Sequence, residues 1–367
     1  MTHDFPTGVV GAGLMGRDIA GLLANAGYRV TLVDVDADAL ESARDYHQTA
    51  LVDALDRAGL DPRAPAERIA YSDDLADLAD CGFVVEAVPE RLELKRDLLD
   101  SLEAVLAPDA VVGTNTSSLT PGDIAAEADH PERVVLFHFA NPAIQRDIVE
   151  ISGDDATDDA LRTATEVAEA MGLQPIRLHR EYRANGLSRL SASIKCAGTW
   201  ELLEADAAAI DHAAKNIGFD RGPLEFIDLI GVDVHLATVD NLSVAYGDRY
   251  APPESVHDRM QTMVEEGQLG KKTGQGFFAW DGETCLLPDV EEGHDVTPVV
   301  AALVNEAYRL VDDGVGDRET INDILKRGSG GDTGPFDIEA MLGTEFLRST
   351  LERRYEETGA SVYEPVF

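Results

Sequence analysis

Apolar and polar positions alternate in two different ways along this chain, and the change comes near its middle. From Thr7 to about residue 179, short apolar, β-branched runs recur at 7–10, 30–33, 82–88, 110–113, 134–139, 148–151 and 175–178, separated by stretches with helical spacing. Runs of that length with little internal alternation suit strands buried on both faces, so the pattern predicts a doubly wound parallel sheet covered by helices on both sides. After Arg180 the strand signals nearly vanish, and apolar residues fall at intervals of three and four, beginning with 184–203. That half is predicted to be an all-α domain.

The helical half repeats itself. Residues 222–231, GPLEFIDLIG, are echoed by GPFDIEAMLG at 334–343, and Ile210-Asp211 is matched by Ile321-Asn322. A linker rich in Gly, Pro and acids at 280–298 separates the two copies. The expected organisation is a Rossmann-type domain over 1–180, a helical module over 181–282 and a second, similar module over 283–367. Two such modules can bury apolar faces on each other, which makes a monomer by internal pseudo-dimerisation the expectation, with a homodimer as the alternative.

The first strand runs into GAGLMG, residues 11–16, then a helix, a second strand and an acid at Asp34. In a βαβ unit this is a dinucleotide cradle. Gly11 makes the turn, Gly13 admits the pyrophosphate, Gly16 lets helix approach strand, and Leu14 and Met15 open the helix whose N–H groups face the phosphates. Asp34 is placed to bind a ribose diol and would repel a 2′-phosphate, so the cofactor expected is NAD.

Composition narrows the partners. Among 367 residues, 69 acids stand against 30 bases, six of them lysine, for a net charge of −39. Such a surface repels nucleic acid and anionic membranes, and neither is expected as a partner. Acid spread along the whole length resembles the composition of proteins from salt-in halophiles. Cys81, Cys196 and Cys285 lack metal-ligand spacing, so they are read as reduced core residues and no metal is expected. The N-terminus has neither a basic start nor an apolar run, and a cytoplasmic location is expected.

The chemistry is concentrated at 115–150: NTSSL at 115–119, HFANP at 138–142, and Glu150. Imidazole can take and return a proton near neutral pH, and a carboxylate on its far nitrogen would set its tautomer. With VVEAVPE at 84–90, Lys95, GPLEFIDLIGVD at 222–233 and GKKTGQGFF at 270–278, the chain resembles the L-3-hydroxyacyl-CoA dehydrogenase family nearly end to end, and the second helical module resembles the tail of longer members. The resemblance implies NAD-dependent, reversible oxidation of a (3S)-3-hydroxyacyl-CoA. In it His138 is the acid/base, Glu150 orients it, and Ser117 hydrogen-bonds the reacting oxygen beside cofactor and substrate. Glu90, Lys95, Asn141 and Lys272 match cofactor contacts. Arg57, on a helix read as spanning 38–58, stands where relatives place positive charge against CoA. Ser188 occupies the position of a substrate-directed asparagine, with Asn185 about one turn earlier on the same helical face. Ala140 stands where a phenylalanine is usual. A dehydrogenase of a non-CoA hydroxy acid and a non-catalytic NAD(H)-binding protein are the alternatives.

Overall fold

In the computed structural model, which describes residues 5–291 and 293–367, the chain divides into two compact units. The first comprises the chain up to Asn185 with Gly314–Gly316 and Lys326–Gly330, and the second comprises Gly186–Asp313, Asp317–Leu325 and Gly331–Phe367. Residues 1–4, on which the reading of the N-terminus partly rests, and residue 292 of the linker lie outside the described residues.

The first unit runs β1 (Thr7–Val10), α1 (Leu14–Ala26), β2 (Val30–Val33), α2 (Ala37–Thr49), α3 (Leu51–Arg57), β3 (Ile69–Ser72), β4 (Phe83–Glu86), α4 (Leu92–Glu103), β5 (Val111–Thr114), α5 (Pro121–Ala125), β6 (Val134–Phe139), β7 (Ile148–Ser152), α6 (Asp158–Ala170) and β8 (Gln174–Arg177). The strands form one sheet in the order β3-β2-β1-β4-β5-β6-β7-β8. Side chains alternate between its two faces, with Val9, Leu32, Val85, Val111 and Val135 in one core and Val10, Val33, Val84, Val112 and Val134 in the other.

Three features depart from the sequence reading. The pairing of β6 with β7 is antiparallel while every other pairing in the sheet is parallel. β3 gave no signal because it is an edge strand with only Ile69 buried. The expected helix over 38–58 is two helices, α2 and α3, meeting at Ala50. Next to the break the Thr49 hydroxyl donates to the Asp45 carbonyl at 2.7 Å, a back-bond that bends helices.

The second unit is helical: α7 (Gly186–Glu201), α8 (Ala207–Asn216), α9 (Pro223–Ile230), α10 (Val232–Tyr246) and α11 (Glu254–Glu265), then α12 (Thr297–Asp312), α13 (Arg318–Ser329), α14 (Pro335–Leu342) and α15 (Thr344–Thr358), α13 ending in the stretch assigned to the first unit. Between the two sets, inside the segment read as a linker, lies a hairpin of β9 (Ala279–Asp281) and β10 (Thr284–Leu286) turned at Gly282, where φ is +56°. The repeat in sequence is a repeat in structure. Asp211 accepts from the Leu224 and Glu225 amides at 3.1 and 2.6 Å at the start of α9, and Asn322 accepts from the Phe336 amide at 2.9 Å at the start of α14. Each of those helices stops at a glycine of positive φ, Gly231 at +103° and Gly343 at +91°, from which the next helix departs. α7 and α12, the first helices of the two copies, pack on each other and share the fully buried pair Arg189–Glu306, at 2.6 Å.

Candidate active site

The cofactor loop follows β1. Gly11 has φ +102°, and a Cβ there would lie 2.7 Å from the Ala87 carbonyl oxygen; a Cβ on Gly16 would come within 1.8 Å of the Gly11 oxygen. Both glycines are therefore required by the protein's own packing. Gly13 is different: a Cβ on it would meet nothing within 4 Å, so this glycine keeps a surface open where backbone can approach a ligand. α1 begins at Gly13 without a side-chain cap, with Leu14 half exposed and Met15 partly buried, and its first N–H groups and dipole face that opening. The Asp34 carboxylate accepts from the Ala12 amide at 2.6 Å and the Asp36 amide at 2.9 Å, which fixes it at the end of β2 with lone pairs left for a diol. These residues fit a dinucleotide.

The acid/base pair is a product of the antiparallel register. His138 stands directly opposite Glu150 across β6 and β7, so a separation of twelve positions in sequence collapses to one cross-strand contact, 2.9 Å between Nδ1 and Oε2. Phe137 and Phe139, the neighbours of His138, point to the other face, where Phe137 stacks edge-on against Phe83 and Phe139 at 5.0 and 5.2 Å. The aromatic packing holds the strand, and the imidazole is left on the face that carries the chemistry. His138 is 6% exposed and Glu150 1%. A carboxylate on Nδ1 keeps the proton there and directs the lone pair of Nε2 outward. Ser117 Oγ lies 3.3 Å from Nε2.

Ser117 is presented by a carboxylate beneath it. In the run Thr116-Ser117-Ser118 only Ser117 is exposed. Oε1 of Glu90 accepts from Thr116 Oγ1 at 2.6 Å, the Ser117 amide at 2.9 Å, and the Ser118 amide and hydroxyl at 2.7 and 2.9 Å. Burial alone would push the Glu90 pKa up, but the Lys95 charge and these donors outweigh it and hold it below 4.5. Lys95 is 2% exposed; its Nζ is bonded to both oxygens of Glu86, at 2.8 and 2.9 Å, and lies 3.4 Å from Glu90. Thr114 at the end of β5 also donates to Glu86. The structure thus turns Lys95 inward onto Glu86 and Glu90, and not into solvent as a solvated helix start would. Glu86 was visible only as part of VVEAVPE and carried no assigned role.

The other candidates are dispersed. Asn141 is exposed just past β6, and Ala140 is buried. The Asn115 side chain accepts from the Phe139 amide at 2.9 Å, joining NTSSL to the strand of His138. Arg57 is exposed at the end of α3. Asn185 is not on a helix one turn before Ser188; it precedes α7, is 2% exposed, and donates to the Thr116 carbonyl at 3.4 Å. Ser188 lies in the first turn of α7, partly exposed, in the second unit. Lys272, in the same unit, is paired with Asp233 at 2.6 Å. Its loop is pinned by buried Asp228, which accepts from the Phe277 and Phe278 amides, both at 2.8 Å, and from the Trp280 indole at 3.2 Å. Cys81 and Cys196 are buried, while Cys285 is only partly so.

Comparison with known proteins bears on this geometry. A family model described as "3-hydroxyacyl-CoA dehydrogenase, NAD binding domain" matches residues 6–182, and its "3-hydroxyacyl-CoA dehydrogenase, C-terminal domain" counterpart matches twice, at 191–280 and 293–367. A 3-hydroxybutyryl-CoA dehydrogenase of Bradyrhizobium diazoefficiens is 34% identical over 75% of this chain and 95% of its own. A 3-hydroxyadipyl-CoA dehydrogenase of Escherichia coli K12 is 34% identical over 83% of this chain, which spans 65% of that relative's length. The crystal structure of a 3-hydroxybutyryl-CoA dehydrogenase from Escherichia coli K12 superposes with a TM-score of 0.82 at 26% identity, covering 99% of this chain and 97% of that one. With both domain types matched across nearly its whole length, the chain belongs to the 3-hydroxyacyl-CoA dehydrogenase family.

Proposed function

We propose that this protein catalyses the reversible, NAD-dependent oxidation of (3S)-3-hydroxyacyl-CoA to 3-ketoacyl-CoA. The observation that carries the reading is His138 held between the Glu150 carboxylate on one nitrogen and the Ser117 hydroxyl on the other. NAD, when bound, supplies the hydride acceptor. Nε2 of His138 takes the alcohol proton as the carbonyl forms and returns it in the reverse direction, while Glu150 steadies the imidazolium. Ser117 donates to the reacting oxygen, and Glu90 keeps the Ser117 loop from drifting. Ser188, in place of an amide, contacts the substrate, and Lys272 and Asn141 serve the cofactor. Arg57, an isolated cation on an acidic surface, would meet a CoA phosphate once salt screens the surrounding repulsion. The two C-terminal-domain matches and the buried Arg189–Glu306 pair support helical modules that cover each other within one chain.

The deciding experiment is NADH oxidation with acetoacetyl-CoA by the purified protein in molar KCl. Turnover establishes the reading. NADH binding without reduction of acetoacetyl-CoA or any longer 3-ketoacyl-CoA would move the substrate to free hydroxy acids. The charge of −39 supports a surface adapted to concentrated salt. Its expected signature is a melting temperature that rises steadily as KCl is raised from about 0.1 M, where the Debye length is about 10 Å, to molar concentrations. A flat or falling curve would contradict it.

A further inference from the structure

Three elements that serve different parts of the proposed reaction meet on one carboxylate. Asp18 lies in the second turn of α1, the helix that starts at the cofactor loop, and is 4% exposed. The Tyr46 hydroxyl of α2 and the Ile144 backbone N–H donate to it. Arg17 Nε stands 3.9 Å from its Oδ1, an oxygen with no hydrogen bond among the described residues. Ile144 belongs to the short turn Ala143–Gln145, which packs on α1 and α3 inside the segment that joins β6 to β7, and so joins His138 to Glu150. α2 in turn follows β2 and Asp34. One side chain thus touches the helix of the phosphate cradle, the helix behind the ribose acid and the connection between the acid/base partners, all within the first unit.

The charge of Asp18 is incompletely compensated. At Glu90 the Lys95 charge and four hydrogen bonds overcome burial. Asp18 has two donors and a guanidinium that lies over the Tyr46 ring, 4.2 Å from its centroid. Burial outweighs the Tyr46 bond, the Arg17 charge and the Ile144 bond, and pushes the Asp18 pKa up to about 6. Burial and the Asp18 charge push Tyr46 up, so its hydroxyl stays protonated and remains a donor; the Arg57 charge of α3 also reaches Tyr46. His47 of α2, held neutral by burial, bonds the Arg17 carbonyl at 2.7 Å. At pH 7.5 Asp18 is ionised and draws both donors. Near pH 5 it is neutral, and its pull on Tyr46 and on the Ile144 turn weakens, because hydrogen bonds to an ionised acceptor are the stronger ones.

We propose that Asp18 is a positioning residue: its ionised carboxylate ties the turn between His138 and Glu150 to the cofactor helix, so that protonation loosens the acid/base pair and the cofactor cradle together. The consequence for catalysis rests on the dehydrogenase reading, whereas the tie itself lies within the first unit alone.

Asp18→Asn keeps the shape and fixes the neutral state. Amide exchange at buried Ile144 is compared between wild type and variant at pH 7.5 and at pH 5, so that intrinsic exchange cancels at each pH. The expected result is exchange roughly tenfold faster in the variant at pH 7.5 and within about threefold of wild type at pH 5. In NADH titrations the wild type should lose affinity between pH 7.5 and pH 5, and the variant should lose less. Equal exchange at both pH values, or a difference that pH does not alter, would overturn the proposal, the second by reducing Asp18 to ordinary packing. A wild-type NADH affinity that rises on acidification would overturn it too, since the carboxylate would then be acting on the phosphates by repulsion. Tyr46→Phe gives an independent reading that needs no change at Asp18. Losing a donor to the ionised form raises its pKa, so the pH at which NADH affinity falls should move up, and an unmoved midpoint would count against the tie. With acetoacetyl-CoA, kcat of Asp18→Asn should be lower by about fivefold at pH 7.5 and approach the wild-type value near pH 5; equal kcat at pH 7.5 would remove the positioning role. If acetoacetyl-CoA is not reduced at any pH, the dehydrogenase reading fails on its own account, and exchange at Ile144 still decides the tie.

Discussion

Two buried histidines in this chain have opposite surroundings. His138, in the sheet of the first unit, has a carboxylate on one nitrogen and a hydroxyl on the other, and both partners are held by further bonds or by strand register. His235, in the helical unit, has no partner for either nitrogen among the described residues and a cation for a neighbour. Burial therefore does not distinguish a catalytic histidine, and partners on both nitrogens do not suffice either, since His47 is buried with Tyr71 on one nitrogen and the Arg17 carbonyl on the other; what sets His138 apart is a carboxylate on one nitrogen and an exposed serine hydroxyl at the other. A completed site is ready to move a proton, whereas an incomplete one carries an uncompensated desolvation cost.

The sharpest way to break the comparison is to remove the first imidazole. His138→Ala should lower kcat by roughly 10²–10⁴-fold, the range of acid–base catalysis, while NADH affinity stays within about a factor of three, because the cofactor loop at 11–16 does not touch it. Parallel loss of cofactor binding and turnover would show that His138 holds the fold of the cradle and does not handle the proton.

Removing the cation beside His235 should do the reverse and stabilise the protein. That cation, Lys195 on α7, has a folded pKa of about 8 against an ordinary 10.5, a depressed value. Its penalty is absent well above 10.5, grows as pH falls from 10.5 to about 8, and is fully present below that, at neutral pH. A shift of that size corresponds to on the order of 3 kcal/mol. The lost Ser191 bond and Phe226 contact offset about 1 kcal/mol each, so Lys195→Met should gain roughly 1 kcal/mol at pH 7. Denaturation of both proteins at pH 7 and pH 10.5 checks the sign: the variant's advantage should shrink or reverse at the higher pH. An advantage that grows with pH would mean that Lys195 already has an unrecognised anionic partner.

Much of the site around His138 was legible in sequence and the surroundings of His235 were not, for a physical reason. GAGLMG with Asp34 is a local signal, because turn, helix start and strand end lie within one βαβ unit. The His138–Glu150 interval was legible as a pairing but not as a geometry: the antiparallel turn between β6 and β7 is what sets the two side by side, and apolar runs do not reveal strand direction. The Lys95–Glu86 pair was not legible because Glu86 ends a different strand, brought near only by the sheet. The hairpin at 279–286 was lost among acids although Asp281-Gly282 is a turn signal. Lys195 and His235 sit at helical positions that nothing in periodicity marks as buried, and only the packing of α7, α9 and α10 puts them together.

The clamp under Ser117 tests whether completeness itself matters. Glu90→Gln keeps the shape and removes the charge that gathers Thr116, Ser117, Ser118 and Lys95. The expected outcome is a kcat lower by about tenfold, equivalent to about 1.4 kcal/mol, with a smaller change in NADH affinity and faster amide exchange at Ser117 and Ser118. Since the Glu90 pKa is held below 4.5, a value depressed in the fold, its contribution should persist at every pH above 4.5 and fail only beneath it. Unchanged exchange at those amides would show that the loop stands without its carboxylate.

The smallest effect is expected at His235, and it is the most direct contrast with His138. Replacing an imidazole whose nitrogens are both unpartnered by an apolar side chain of similar size removes a desolvation cost and loses no hydrogen bond, so His235→Leu should change stability by less than about 1 kcal/mol, in the stabilising direction. Under the same denaturation conditions a loss of several kcal/mol would mean that the imidazole is bonded in solution, through ordered water if not through protein. The difference between the two histidines would then be one of partner and not of completeness.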